Sequence, residues 1–280
     1  MKPGMKGVRD TATILDKIVA RKVEEVAAAR AQRMPRGCGY PEEVAPPARR
    51  DPARPGFHFA LQHGRGRPII AEIKKASPSA GVLRDPFDPV AIAKSYEAAG
   101  ARCISVITDE KFFQGSLDIL RQVRAVTALP IIRKDFIIDG VQLEEAMDAG
   151  ADAALLIARI LDDDLMADLY ATATGLGLET LIEVHDATDL DRALALSPQP
   201  QLIGVNNRDL ADFSVSIERT IRILPFVPPG ALLVSESGLS DSATLDRLTA
   251  AGASAFLIGT SLMKAADLGA ALRRLVGAGA

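Results

Sequence analysis

Short apolar segments alternate with longer segments of helical periodicity along most of this chain. Eight apolar runs recur about every 23 to 34 residues. The runs are Ile69–Ile73, Cys103–Ile107, Pro130–Ile132, Ala153–Ile157, Leu178–Val184, Leu202–Val205, Leu232–Val234 and Ala255–Ile258. Between them, apolar residues recur three or four positions apart, which predicts amphipathic helices. These predicted helices cover about 89–99, 116–127, 141–148, 162–175, 186–196, 215–224, 241–250 and 266–276. The pattern therefore predicts a strand–helix unit repeated eight times.

The predicted strands are apolar at nearly every position, which is typical of a parallel sheet covered by helices. Eight such units favour a closed (β/α)8 barrel, the TIM barrel, over an open doubly wound sheet. An open sheet more often has a glycine-rich turn after its first strand, where this chain has Lys74–Pro78. We therefore predict an α/β protein of one domain, with a barrel at 68–280 and a helical extension at 1–67 packed on it.

The N-terminal extension is expected to contain two helices. Apolar residues recur at helical spacing from Thr11 to about Arg33, after candidate capping residues at positions 10 to 13. Prolines make residues 34–56 irregular, and Phe57–Gln62 can form a short helix. The first helix is expected to dock on the barrel through its apolar stripe.

Composition and charge exclude several classes of protein. The 280 residues carry a net charge of −3, contain no Trp and are only 4% aromatic, so a nucleic-acid surface is not expected. No apolar run approaches the roughly 18 residues that cross a bilayer, and the N-terminus lacks the apolar core of a signal peptide. Cys38 and Cys103 are far apart and lack the spacing of metal ligands. We therefore expect a cytoplasmic protein with free thiols and without membrane partners.

Polar residues follow the apolar runs at most strand ends. In a TIM barrel the active site lies at the C-terminal ends of the strands. Glu72 and Lys74 stand two positions apart and point to the same side of the first strand, where a salt bridge alone could explain them. Further candidates follow the third, fifth, sixth and seventh strands: Lys134, Glu183, Asn206 and Glu236. Two lysines and three glutamates at one end of the barrel predict a convergent catalytic site.

Other polar residues near the strand ends are interpreted as lying outside the site. We expect His185 on the exposed rim and the segment Asp109–Lys111 in a solvated loop. Arg133 alternates with Lys134 and is expected to face away from it. The histidines are scattered along the chain, and the acidic residues are mixed with lysines that would repel a cation. We therefore predict no metal site. No cofactor fingerprint occurs.

Small residues after the last two strands indicate a phosphate site. Ser237-Gly238 and Gly259-Thr260 offer backbone N–H groups, and the second pair precedes a short helical turn. Barrels often bind phosphate between these two loops. Ser77, after the first strand, could complete the cradle. Ordinary glycine turns would look the same, but the pattern favours a phosphorylated small molecule as the ligand.

The motifs at the strand ends are those of a known family. In order, they are Ala71–Ser79, Phe113–Ser116, Arg133–Phe136, Leu181–His185, Gly204–Leu210, Ser235–Gly238 and Ile258–Met263. In this combination the chain resembles the indole-3-glycerol phosphate synthase family of tryptophan biosynthesis, over nearly its whole length. The resemblance implies a TIM-barrel enzyme that uses no cofactor. Its substrate would be 1-(2-carboxyphenylamino)-1-deoxyribulose 5-phosphate, converted to indole-3-glycerol phosphate by ring closure, decarboxylation and dehydration.

The resemblance also implies roles for the ionisable residues. Lys134 would be the general acid on the ribulose oxygen. Lys74 would pair with the anthranilate carboxylate and donate a proton during dehydration. Glu183 and Glu72 would act as acid, base and charge-stabilising partners, without an assignment of which takes which proton.

The other family positions would orient or bind the substrate. Asn206 and Glu236 would orient the substrate hydroxyls and the lysines. The residues expected to contact the phosphate are Ser77, Ser237, Gly238, Gly259 and Thr260. Phe112 and Phe136 would lie against the aromatic ring, and Arg208 is a further substrate-binding candidate.

The chain departs from the family pattern at one position, and three other functions share part of the pattern. Ala80 replaces the lysine that the family usually has after the Ser-Pro-Ser turn, so a loop lysine does not contribute here. An aldolase-like barrel would use Lys134 as a Schiff-base nucleophile. A phosphoribosylanthranilate isomerase would need a cysteine and an aspartate at strand ends, which this chain does not offer. A non-catalytic phosphosugar-binding barrel would not need the ionisable set. We expect a monomer or a weak homodimer.

Overall fold

Eight parallel strands form a closed barrel in the computed structural model, which describes residues 6–33, 54–209 and 211–277. Cys38, most of the proline-rich segment and Leu210 lie outside the described residues. The strands are β1 (Ile69–Ile73), β2 (Cys103–Ile107), β3 (Ile131–Lys134), β4 (Ala153–Ile157), β5 (Glu179–Val184), β6 (Leu202–Asn206), β7 (Leu232–Glu236) and β8 (Ala255–Ile258). Each strand pairs with its neighbours in sequence, and β1 pairs with both β2 and β8. The predicted (β/α)8 barrel is confirmed.

Three strands extend beyond their apolar runs, and the extra residues are functional candidates. Lys134 is paired with Ile107 of β2, and Asn206 is paired with Glu236 of β7. A strand continues for as long as its backbone groups find partners, whatever the side chain. These polar residues are therefore held by the sheet itself rather than by a loop.

Helices alternate with the strands as predicted. They are α1 (Ile14–Arg33), α2 (Phe57–Gln62), α3 (Pro89–Ala98), α4 (Leu117–Arg124), α5 (Gly140–Asp148), α6 (Asp163–Leu176), α7 (Ala187–Leu194), α8 (Glu218–Ile223), α9 (Ser242–Ala251), α10 (Thr260–Met263) and α11 (Leu268–Val276). Aspartate side chains accept backbone N–H groups at the start of most barrel helices, which satisfies donors that the helix leaves free. These caps are Asp88, Asp139, Asp162, Asp186, Asp241 and Asp267.

The N-terminal helices pack against the barrel core. The Thr13 hydroxyl accepts the Leu15 N–H and caps α1, whose buried stripe includes Ile18, Val19 and Val26. At α2, the Glu179 carboxylate accepts the first two N–H groups, and Phe57 is fully buried. Glu179 is the first residue of β5, so α2 lies at the N-terminal end of the barrel.

Within the described segments, no helix is long and apolar enough to span a membrane. The division of the chain at residue 67 stays a prediction.

Candidate active site

A cavity of about 390 Å³ opens at the C-terminal end of the barrel. It is lined by residues of all eight strands, by loops that follow them and by the first turns of α1. The predicted site residues that line it are Glu72, Lys74, Ser77, Lys134, Phe136, Glu183, Asn206, Arg208, Glu236, Ser237, Gly238, Gly259 and Thr260. Phe112 is not among the lining residues, whereas the neighbouring Phe113 is.

Lys134 lies between two glutamates. Its Nζ atom is 2.8 Å from Glu183 Oε2 and 3.1 Å from Glu236 Oε2. Burial alone would lower the pKa of this amine, but the charges of Glu183, Glu236 and Glu72 outweigh burial and raise it. Lys134 is therefore a fully protonated ammonium that faces the cavity.

Glu183 is held in its ionised form. Burial alone would raise the pKa of this carboxyl, but the Lys134 ammonium, together with a hydrogen bond from Asn206 at 3.1 Å, lowers it to about 2. The Asn206 amide also accepts the Arg208 N–H at 3.0 Å, which fixes its orientation. Glu183 is thus a permanent negative charge beside Lys134.

His185 is buried, so the prediction that it lies on the exposed rim is wrong. Its Nε2 atom is 3.6 Å from Glu183 Oε1, and both ring nitrogens lack hydrogen-bond partners among the described residues. Burial lowers the pKa of this imidazole. The backbone N–H of His185 donates to Asp189 of α7 at 3.2 Å, and the residue is 3% exposed.

The pKa of Glu236 is shifted in the opposite direction from that of Glu183. Burial, together with the charges of Glu183 and Glu72, raises its pKa to about 7 against the pull of Lys134. One of its oxygens, Oε1, has no hydrogen-bond partner among the described residues. Gly204 on β6 makes room for this carboxyl, because a side chain there would overlap Oε1. Two glutamates that share one lysine therefore titrate far apart.

The Glu236→Gln variant is expected to be more stable than the parent above pH 7 and nearly equal at pH 4.5. The Glu236 carboxyl has a pKa of 4.5 without its folded-state neighbours, as in the unfolded chain, and of about 7 in the folded protein. Between these two pH values the folded state binds one proton more than the unfolded state. Parent stability then falls as pH rises through this window, by on the order of 2–3 kcal/mol. Urea unfolding at both pH values measures the difference. A difference that does not change with pH would contradict the raised pKa.

Glu72 and Lys74 form the ion pair that their spacing suggested. The Lys74 Nζ atom is 2.6 Å from Glu72 Oε1, and both residues line the cavity. Gly259, predicted to bind phosphate, has a second role, because a side chain there would overlap the Glu72 carboxylate. The loop after β8 can therefore approach β1 closely only with glycine at this position.

Small polar residues form the part of the cavity next to β7 and β8. Ser237 and Gly238 both have positive φ angles, of 68° and 76°. α10 begins at Thr260, so the N–H groups of its first turn have no partners within the helix. Ser77 lines the cavity from the β1 side. This cluster therefore presents hydroxyl and backbone N–H donors at one end of the cavity.

Aromatic and aliphatic side chains form the part of the cavity at β2 and β3, above the buried ion pairs of Asp109 and Asp135. Phe113 follows β2 and Phe136 follows β3, with ring centroids 6.1 Å apart. α1 adds three aliphatic side chains to this wall: Ile14, Leu15 and Ile18. The cavity thus has an end rich in aromatic and aliphatic side chains at β2 and β3, and an end of small polar residues at β7 and β8.

The segment after β2 differs from the solvated loop that was expected. Asp109 is 1% exposed and pairs with Lys22 of α1, whereas Glu110 and Lys111 are exposed. Lys22 stands among the apolar residues of the α1 stripe, and a charged residue at such a position is the signal that the sequence offers for this contact. Arg133, as predicted, turns away from the cavity and pairs with Glu145 of α5.

No group of three or more metal-binding side chains is assembled within residues 6–33, 54–209 and 211–277.

Sequence relatives show the family of this chain, and structural relatives show its fold. The family described as indole-3-glycerol phosphate synthase matches residues 15–275. An indole-3-glycerol phosphate synthase of Desulfotalea psychrophila is 52% identical over 263 residues, which cover 94% of this chain and 98% of that protein. Among solved structures, a 3-hexulose-6-phosphate synthase has a TM-score of 0.59 at 15% identity and covers 74% of this chain and 97% of its own. The orotidine 5'-phosphate decarboxylase of Pyrococcus horikoshii OT3 has a TM-score of 0.57 at 16% identity, with the same coverage. The two structures show only the barrel fold, whereas the sequence matches show that this chain belongs to the indole-3-glycerol phosphate synthase family.

Proposed function

We propose that the protein converts 1-(2-carboxyphenylamino)-1-deoxyribulose 5-phosphate to indole-3-glycerol phosphate, with carbon dioxide and water as the other products. The observation that carries the proposal is the Lys134 ammonium held between Glu183 and Glu236, in a cavity with aromatic side chains at one end and small polar residues at the other. An acid is needed where the ketone oxygen accepts a proton, and carboxylates are needed where positive charge develops.

The two ends of the cavity orient this substrate. Its phosphate would accept N–H and hydroxyl hydrogen bonds from the loops after β7 and β8. Its aromatic ring would lie against Phe113 and Phe136 and under the first turns of α1. The ketone carbon and the ring carbon that attacks it are then placed between the two ends, near Lys134. Arg208 lines the cavity on the β6 side, where its guanidinium donates to the Phe213 carbonyl.

Ring closure forms the first bond. The ring carbon that bears the carboxylate attacks the ketone carbon, and the carbonyl electron pair moves to oxygen, which takes a proton from Lys134. The alkoxide is a strong base, so a lysine with a raised pKa still transfers its proton favourably. The ring system then carries a positive charge at its nitrogen, which the ionised Glu183 stabilises.

Decarboxylation and dehydration restore the aromatic system. Lys74 pairs with the substrate carboxylate until the carbon–carbon bond breaks, and the released electron pair neutralises the cationic ring. Water then leaves as the hydroxyl group takes a proton from Lys74 and a carboxylate removes the proton from the neighbouring carbon. Glu236 suits this proton transfer because its pKa of about 7 matches neutral pH, whereas Glu183 is too weak a base.

Indole fluorescence tests the proposed function directly. Addition of the carboxyphenylamino-deoxyribulose phosphate to the purified protein should produce the fluorescence of the indole product and one equivalent of carbon dioxide. The same substrate without its phosphate should react poorly, because binding at the β7–β8 end is lost. Folded protein that gives neither fluorescence nor carbon dioxide would overturn the proposal.

The monomeric or weakly dimeric state and the cytoplasmic location stay predictions. Sedimentation of the purified protein over a range of concentrations measures the first.

A further inference from the structure

A buried ammonium joins helix α1 to the rim of the barrel. Lys22 is 3% exposed, and its Nζ atom lies 3.1 Å from Asp109 Oδ2 and 2.9 Å from Asp135 Oδ1. It also donates to Glu25 on its own helix at 2.8 Å. Asp109 follows β2 and Asp135 follows β3, so one side chain connects three segments of the chain. A buried ammonium is tolerated only with such partners in place.

The same two aspartates hold the turns that carry the aromatic rings of the cavity. Asp109 Oδ1 accepts the N–H groups of Phe112 and Phe113 at 2.8 and 3.2 Å. Asp135 Oδ1 accepts the Phe136 N–H at 2.8 Å. Asp109 therefore uses one oxygen for its aromatic turn and the other for the ammonium of α1, whereas Asp135 uses Oδ1 for both.

The two aspartates do not depend equally on Lys22. Asp135 also pairs with Arg133 at 3.0 Å and accepts the Thr108 hydroxyl at 2.6 Å. Asp109 Oδ2 has no partner besides the Lys22 ammonium in the described parts of the chain. Loss of the ammonium would leave the Asp109 carboxylate as an unpaired buried charge at the base of the Phe113 turn, which must then move or take up a proton.

The position of α1 depends on the same contact. Ile18 lies four residues before Lys22, on the same face of the helix, and lines the cavity together with Ile14 and Leu15. We propose that Lys22 is a positioning residue for the aromatic end of the active site, where it sets the places of the Phe113 and Phe136 turns and of the α1 wall. The proposal rests on the proposed function, because the ligand of this end is the aromatic ring of that substrate.

Lys22→Met, with Lys17→Met as the matched control, tests the proposal. Lys17 is exposed on the same helix and loses the same charge. We expect Lys22→Met to raise KM and the inhibition constant of anthranilate by on the order of 10- to 100-fold, because misplacement by about 1 Å has effects of this size. Inhibition by inorganic phosphate should be unchanged, because the phosphate end lies across the barrel. Lys17→Met should match the parent in all three.

A merely structural role would give a different result. Lys22→Met would then melt earlier, but below its melting temperature it would keep the parent's KM, kcat and anthranilate inhibition, and this outcome would overturn the proposal. If Lys22→Met does not fold, Asp109→Asn replaces it, since Lys22 keeps two partners in that variant. Asp109→Asn should weaken anthranilate binding and leave phosphate inhibition unchanged, and parent-like kinetics in it would equally contradict the proposal.

The double variant Lys22→Met/Asp109→Asn adds a second check. It should lose less activity than the product of the two single losses, because the unpaired carboxylate is removed. Losses that multiply would mean that the two residues act independently. Absence of turnover in the parent would refute the proposed function instead, whereas an active parent with unaffected Lys22→Met would refute only the positioning role.

Discussion

Replacement of Lys134 by methionine is expected to reduce kcat by about 10²–10⁴-fold, the usual contribution of a positioned general acid. The methionine keeps most of the side-chain volume but cannot protonate the ketone oxygen. The variant should still fold, because Lys134 lies at a strand end that the backbone pairing with Ile107 holds in place. The release of indole-3-glycerol phosphate, followed by fluorescence, measures the loss.

Two controls make this result specific to Lys134. Lys94→Met, on the exposed face of α3, removes the same charge and should keep the parent's turnover. Borohydride added with the substrate should trap no covalent adduct on the parent, because Lys134 stays protonated between two glutamates and is a poor nucleophile. An adduct on Lys134 would favour the aldolase-like alternative, and full turnover by Lys134→Met would show that another group is the acid.

The Glu183→Gln variant is expected to lose about 10²–10³-fold in kcat, which is the size of effect seen when one charge-stabilising group is removed. Glutamine is isosteric but carries no charge to stabilise the cationic ring that forms after closure. It also withdraws the strongest partner of the Lys134 ammonium, whose 2.8 Å contact fixes its direction. Single-turnover measurements should place the loss in the chemical steps rather than in substrate binding.

The pH dependence of Glu183→Gln gives a separate signature. The Glu183 charge helps to raise the pKa of Glu236 to about 7, so its removal should move that titration to lower pH. The inflection near pH 7 in the kcat/KM profile of the parent should therefore move toward acid in the variant. Glu110→Gln, an exposed position after β2, should leave the profile unchanged. An inflection that does not move would show that Glu236 is not the group that titrates.

The barrel and the polar residues at its C-terminal rim followed from the sequence because both depend on short-range patterns. A buried parallel strand must be apolar nearly throughout, and a covering helix must be apolar on one side, so the two periods are visible in the chain. Once eight units close, every strand end meets at one rim. The convergence of Lys134, Glu183, Asn206 and Glu236 is therefore a consequence of the barrel topology. The sequence motifs at the strand ends identified the family.

Sequence patterns do not determine which of Phe112 and Phe113 lines the cavity, and the residue that does so is Phe113. Two adjacent aromatic residues in a loop have no periodicity to distinguish them. Only the folded loop distinguishes them: Asp109 Oδ1 accepts both N–H groups, and of the two residues Phe113 lines the cavity. His185 was placed wrongly for a similar reason, because its burial beside Glu183 and Asp189 depends on contacts that a position at a strand end does not reveal.

The sequence by itself determined the alternation of strands and helices, the closed barrel, the polar residues at its rim and the family to which they belong. Glu183 and Glu236 are both glutamates at strand ends, and the tertiary structure alone decided that their pKa values are about 2 and about 7. It also decided that Lys22, from the first helix, reaches two aspartates at the rim. Local pattern fixes which face of an element is buried, but a charge's environment depends on distances between residues far apart in the chain. Only the folded barrel sets those distances.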